Sequence, residues 1–255
     1  MRQTTLVSAS ETAAEIVARI AEIRAENDAA RRGEDADLSD ARREILRQEA
    51  AVSKARSLSI VGDRFAHRTF GTFKTRPENA QALVAARYAI ADTPIIGAAF
   101  YGAPGVGKSH LAGAVAHELI GRGTAVIVDS VNALLRRIRS TFDAGVQLTE
   151  DEVVRRVSSV PLLVLDDLGK EHLTPWSATT LWDIVNARYE RNLPLIVTSN
   201  SDLAGLAARY SRSIDGLDEQ TLPAMFDRIV EMVGGIDRFI AVGGESQRAR
   251  IEAVR

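Results

Sequence analysis

Cysteine is absent from all 255 residues of the chain. Disulfides, zinc ribbons and thiol catalysis are therefore excluded. Histidine is scarce: His67, His110, His117 and His172 are scattered, and no metal-binding spacing links them. Net charge is small, −2 at pH 7, so the chain as a whole is no polyanion binder and any nucleic-acid contact must use a local patch. No apolar run approaches the roughly 18 residues of a membrane-spanning helix. The N-terminus lacks the charged-then-apolar pattern of a secretory signal. These absences predict a cytoplasmic protein with no membrane partner. What remains is ordinary globular material. Hydrophobic residues make up 45% of the chain, and its length suits one sizeable domain plus an appendage.

Aromatic residues are only 5% of the chain, and none lies in residues 1–60. That stretch holds ten Lys/Arg and eleven Asp/Glu. Ser8-Ala9-Ser10-Glu11 has the form of a capping box opening a helix. Ala13, Ile16, Val17, Ile20 and Ile23 continue it as a narrow apolar stripe. Arg31-Arg32-Gly33-Glu34-Asp35 breaks the pattern. A second helix is predicted from Ser39 to about Lys54, with Leu38, Ile45 and Val52 seven apart. Two thin stripes bury little, and lone helices of this kind are marginal in water. Two readings stay open: a solvated hairpin or packing arm, and a module whose stripe is completed by a partner protein. The expected division is a helical partner-docking module over 1–60, a linker to about residue 67, and a larger domain over 68–255.

The chain is organised around Gly102-Ala103-Pro104-Gly105-Val106-Gly107-Lys108-Ser109, which fits G-x-x-x-x-G-K-[ST]. Glycines let the backbone curl so that successive N–H groups converge on a phosphate. A helix starting at Lys108 adds its positive dipole end. Lys108 is placed for the β- and γ-phosphates, and the Ser109 hydroxyl for Mg²⁺. The context fits as well: Ile95 to Tyr101 reads as a buried strand, and Leu111 to Ala116 as a helix lying on a sheet.

Upstream of this loop, Phe70-Gly71-Thr72-Phe73 precedes a helix opened by Pro77. Those aromatics suit either core packing or a place beside a nucleotide base. Downstream, Ala125 to Val128 is a second strand. A helix follows with Val131, Leu134, Leu135, Ile138 and Phe142 on its apolar face, and Arg136, Arg137 and Arg139 off that face. Thr149 to Glu152 forms another capping box. Leu162 to Asp167 is a buried strand ending in two acids. The next helix has Thr174 as N-cap and Pro175 at its first position. Leu195 to Asn200 is a fourth strand, with a polar tip, and Ile236 to Val242 a last one. Alternating short strands and helices mean a parallel α/β sheet covered on both faces. Ligand chemistry then gathers at the carboxyl ends of the strands, where Gly102, Asp166, Asp167 and Asn200 all fall. Asp166 is placed to hold Mg²⁺, Asp167 to orient or deprotonate an attacking water, and Asn200 to hydrogen-bond that water or a γ-phosphate.

Five segments, in order, carry a family resemblance: Gly107 to Ala112, Leu165 to Gly169, Asn186 to Glu190, Thr198 to Asn200 and Asp227 to Met232. They resemble the DnaC/DnaI-type helicase loaders, AAA+ P-loop ATPases that also include the IstB transposition helpers. The likeness covers about residues 68–250. It implies an ATPase using ATP and Mg²⁺, with Gly102 through His110 as the nucleotide cradle. It also implies a sheet order 5-1-4-3-2, counted from the strand before the loop, and a truncated C-terminal lid. Carried over by position, Arg228 is an arginine finger acting on a neighbouring subunit's ATP, and Arg248 a sensor arginine. The implied partners are a hexameric replicative helicase, docked through residues 1–60, and single-stranded DNA. Arg136, Arg137 and Arg139 are the DNA candidates, since charge along a backbone track is what single-strand binding needs; their other reading is a solvated helix face.

Departures qualify the likeness. Leu222-Pro223-Ala224-Met225 stands where many loaders carry Arg-Ile before the finger, and Gln247 replaces an aromatic before Arg248. The second acid is Asp167 rather than a glutamate; its shorter reach fits slow, assembly-stimulated hydrolysis. Two other functions stay open: an IstB-like transposition helper that wraps duplex DNA, and a nucleotide-gated scaffold with little turnover. The balanced charge of residues 1–60 argues against the helper, for which a more basic N-terminal module is expected.

Overall fold

The computed structural model describes residues 22, 42–91, 94–142, 149–213 and 221–246. The chain divides into two units, residues 1–50 and 51–255. In the first, residues 42–50 are helical, and Ile45 and Leu46 are 57% and 56% exposed. The apolar stripe predicted over residues 13–23 lies outside the described residues, Glu22 apart. This helix, α1, is described over residues 42–58, and Ala55 is buried.

The second unit is built on a six-stranded sheet. Its strands are β1 (Ile60–Val61), β2 (Ala98–Tyr101), β3 (Val126–Ser130), β4 (Leu162–Leu168), β5 (Leu195–Ser199) and β6 (Phe239–Ala241). They are ordered β1-β3-β4-β5-β2-β6, with every neighbouring pair parallel. Counted from β2, the strand before the glycine loop, the last five give the expected 5-1-4-3-2. The apolar runs are near-continuous because both faces are covered. Ile127, Leu163, Leu165, Leu195 and Val197 point into one core, and Val126, Val128, Leu162, Val164 and Ile196 into the other.

Among the described residues, seven further helices cover the sheet. They are α2 (Pro77–Tyr88), α3 (Lys108–Gly121), α4 (Val131–Arg139), α5 (Glu150–Ser159), α6 (Pro175–Tyr189), α7 (Leu203–Ser213) and α8 (Thr221–Met232). Their starts follow from capping chemistry. Ser130 Oγ accepts from the Ala133 N–H at 3.2 Å, Thr149 Oγ1 from Glu152 at 3.3 Å, and Thr174 Oγ1 from Ser177 at 3.1 Å. Helix α3 is small along its sheet-facing side: Leu111, Ala112, Val115 and Ala116 are all fully buried.

The stretch read as a linker up to about residue 67 contains short ordered elements. Ile60 and Val61 pair with Ile127 and Val128 as an added edge strand. Phe65 is fully buried beneath α3 in the same core as Leu111 and Val115. A two-residue strand is too short to show the alternation by which strands are recognised. Among the described residues, no helix is long and apolar enough to cross a membrane.

Candidate functional site

The glycine loop lies between the end of β2 and the start of α3. Gly107 is the N-cap of α3 at φ +112°, a left-handed conformation that disfavours a side chain. A Cβ there would also come within 2.9 Å of the Phe73 ring. Phe73 is therefore a lid on the loop from the core side, and its ring meets His110 edge-on at 5.4 Å. The His110 Nε2 lies 3.0 Å from the Thr69 carbonyl and 3.1 Å from Thr72 Oγ1. Its burial, aided by the Arg68 charge and opposed by the Thr69 contact, lowers the imidazole pKa below the usual 6.5. His110 thus ties the segment before α2 onto α3. Lys108 is 4% exposed, and its Nζ donates to the carbonyls of Gly102 and Ala103, both at 2.8 Å.

Opposite the loop stand the acids at the end of β4. Asp166 is completely buried. Asp167 sits at φ +61°, rare for a residue with a side chain and a store of local strain. The β4–β5 register shifts at this point, between Leu165 and Leu168. One side chain supports the irregularity: Thr198 Oγ1 accepts the Asp167 N–H at 2.9 Å and donates to Asp166 Oδ1. Lys170 Nζ donates to Asp167 Oδ1 at 2.7 Å. Burial would raise the Asp167 pKa, but Lys170 and then Arg64 outweigh it and hold the carboxyl below the usual 3.8.

A cleft brings together Pro104, Gly105, Gly107, Lys108, Ser109, His110, Asp167 and Asn200, all expected from the sequence, with Arg68 and Lys170 added. Among the described residues, Asn200 Oδ1 is buried and accepts no hydrogen bond. Beside this cleft, Arg64 Nη2 donates to Asp166 Oδ2, to Asp167 Oδ2 at 3.0 Å and to Ser109 Oγ at 3.3 Å. Arg64, Arg68 and Thr198 were not singled out by sequence reasoning. The Thr198-Ser199-Asn200 tip was visible, but nothing in it told that the hydroxyl would reach both acids.

The remaining candidates lie elsewhere. On α8, the Arg228 guanidinium stacks over Trp182 at 4.3 Å and Tyr189 at 5.3 Å, away from the cleft's lining. On α4, Arg137 pairs with Asp129 at 3.3 Å, Arg139 lies 5.8 Å over the Trp176 ring, and Arg136 is exposed. Arg248 lies outside the described residues.

A glycine loop capping a helix, a lysine donating to its carbonyls, and a hydroxyl and a buried acid that meet the same guanidinium nitrogen together fit a nucleotide phosphate with a hard cation. Among the described residues, no cluster of three or more His, Cys, Asp or Glu forms a metal cage. Mg²⁺ bound through phosphates needs only one or two protein oxygens, and Ser109 with Asp166 would supply them.

The family comparison agrees. The profile of IstB-like ATP binding proteins matches residues 21–253. The chain belongs to that family. It is 29% identical over 167 residues to the replicative helicase loader DnaC of Buchnera aphidicola subsp. Baizongia pistaciae, a match covering 64% of this chain and 68% of the relative. Among solved structures, DnaI superposes with a TM-score of 0.61 at 23% identity, over 76% of this chain and 100% of that one. A DnaC helicase loader superposes at 0.56 with 25% identity, over 71% and 98%. The AAA+ fold of the loaders is thus shared by this member of the ATP-binding family.

Proposed function

We propose that the chain is an ATP-hydrolysing helicase loader. It docks a hexameric replicative helicase through residues 1–60, while residues 68–255 carry the ATPase and help place the helicase on single-stranded DNA. The observation that carries this reading is the convergence of Lys108, Ser109, Asp167 and Asn200 on one cleft, with Asp166 reaching the same place through Arg64. Lys108 would hold the β- and γ-phosphates, and Ser109 with Asp166 would hold Mg²⁺. Bound Mg²⁺ supplies charge neutralisation of the phosphates. Asp167 is the acceptor for the attacking water's proton, with Asn200 Oδ1 as the second group aimed at it. Turnover is slow in the isolated chain, because its own Arg228 stacks on α6 instead of lining the cleft. A neighbouring copy's Arg228 would complete the site. The helicase assignment follows the relatives, and Arg136, Arg137 and Arg139 are the candidate DNA contacts.

Two measurements test it. Lys108→Ala should weaken binding of a fluorescent ATP analogue about 10- to 100-fold, the worth of hydrogen bonds to a charged partner; retained tight binding would remove the ATP site. Ile16→Asp with Ile20→Asp in the full chain should keep analogue binding but abolish co-elution with a hexameric replicative helicase. A transposase co-eluting in the helicase's place would favour the helper reading that the family match keeps open.

A further inference from the structure

The residues between β1 and α2 form a strap over α3, and they are held at several points. The Gly62 N–H donates to the Val128 carbonyl at 3.0 Å. Phe65 is fully buried, its carbonyl lying 2.9 Å from His117 Nε2. His110 grips Thr69. A Cβ at Gly113 would lie 2.9 Å from Arg68 Cβ, so the glycine permits this close approach. Arg64 therefore projects from a fixed backbone, not from a loose tail.

Its target is specific. One nitrogen, Nη2, meets Ser109 Oγ, Asp166 Oδ2 and Asp167 Oδ2. These are the oxygens that the proposed function gives to the metal and to the attacking water. Asp166 is completely buried, and a buried carboxylate requires a compensating cation. Arg64 is that cation. A guanidinium and a divalent ion cannot both take these oxygens, because like charges at such short range repel.

We propose that Arg64 is a positioning residue that competes with the divalent cation for Ser109, Asp166 and Asp167, so that loading the metal expels Arg64 and loosens the strap. This rests on reading the cleft as a metal–nucleotide site. The strap follows directly on α1 and β1, so metal loading is reported to the very segment that joins the ATPase to the N-terminal residues.

The test is a titration of the full chain with Mn²⁺ alone, followed by electron paramagnetic resonance. Arg64→Gln should bind Mn²⁺ about tenfold more tightly than the unaltered chain, since a nearby opposite charge is worth at least one decade in ion affinity. Arg64→Lys, which keeps the charge but cannot span three oxygens, should fall between. Equal or weaker Mn²⁺ binding by Arg64→Gln overturns the proposal. Hydrogen exchange on the unaltered chain decides the matter if the variant does not fold. Amides 63–68 should exchange faster with a non-hydrolysable ATP analogue plus Mg²⁺ than with the analogue plus chelator, and no difference overturns it. Analogue binding by the unaltered chain, run in parallel, separates the two ideas: its absence removes the ATP site, whereas its presence with unchanged Mn²⁺ affinity removes only the role of Arg64.

Discussion

The Arg228 guanidinium lies 4.3 Å from the centre of the Trp182 ring, on the flank of α6. The Tyr189 ring lies 5.3 Å from the same guanidinium, and its hydroxyl donates to Glu231 Oε2 at 2.8 Å. Nη1 is buried and, among the described residues, finds no hydrogen-bond acceptor. An arginine held by aromatic faces and not by carboxylates keeps its hydrogen-bonding capacity for another partner.

Arg228→Ala should therefore separate two properties. Stability should fall only by about 1 kcal/mol, the scale of a sheltered cation–π contact. ATP hydrolysis in the assembled state should fall about a thousandfold, the lower range for loss of an arginine finger. Nucleotide binding should be unchanged. Steady-state turnover measured across chain concentrations checks it; a variant that still accelerates on assembly makes Arg228 purely structural.

Thr198→Val keeps the shape of the residue and removes both its hydrogen bonds. The buried Asp166 loses a donor, and the Asp167 N–H loses its acceptor. Urea unfolding should show a loss of about 1–3 kcal/mol, the cost of unsatisfied buried groups. Thr198→Ser should recover most of it. Hydrolysis should fall in the valine variant because Asp167 is no longer held in its left-handed turn.

Tyr210 gives a pH prediction. The residue is fully buried, with its hydroxyl donating to Glu171 Oε1. Burial first, and then the Glu171 charge, hold the phenol well above its ordinary 10.0. A folded pKa above the unfolded one means the stabilisation is whole below pH 10 and is lost as pH rises beyond it. The unaltered chain should thus lose thermal stability on the alkaline side. Tyr210→Phe should start lower at neutral pH, because Glu171 loses a donor, but decline less steeply above pH 10. Parallel slopes for the two proteins would refute the assignment.

Arg188 is fully buried, and its guanidinium donates to the carbonyls of Val157 (3.2 Å), Val160 (2.8 Å) and Pro194 (2.6 Å). Burial, and to a lesser extent Arg191, lower its pKa to about 9. It fastens the end of α5 to the turn before β5. Arg188→Ala should destabilise the chain by several kcal/mol, at about 1–3 kcal/mol for each buried carbonyl left without a donor. Denaturant melts should show the loss without a nucleotide-specific component.

How far the sequence revealed all this depends on the range of each interaction. Strands β2 to β5 were legible because a doubly covered parallel sheet demands continuous apolar runs, whereas the last strand is confined to Phe239–Ala241 and Ile236–Arg238, expected within it, forms a 3₁₀ turn. Lys108, Ser109, Asp166 and Asn200 were legible because each occupies a strand end or a loop motif. Arg64 was not: its partners are far along the chain, and the pairing of β1 with β3 and the burial of Phe65 aim it at them. Arg188 lies within the segment Asn186 to Glu190, whose family resemblance carries no information about burial. Nothing local tells that an arginine is interior when its acceptors are the carbonyls at the ends of other elements. The left-handed Asp167 was equally hidden, since the motif names the residue and not its backbone.

Strand β1 is two residues long and lies at the sheet's edge. Arriving from α1, the chain is tied to the sheet at Ser59, whose Oγ accepts the Val126 N–H at 2.9 Å, and then through Ile60 and Val61. Short edge strands are the first to peel, and the residues drawn off after them carry Arg64. The arrangement is that of a mechanical fuse: tension on the chain before β1 would open a short joint beside Asp166 and Asp167, while the longer strands, and the glycine loop they hold, would keep their geometry.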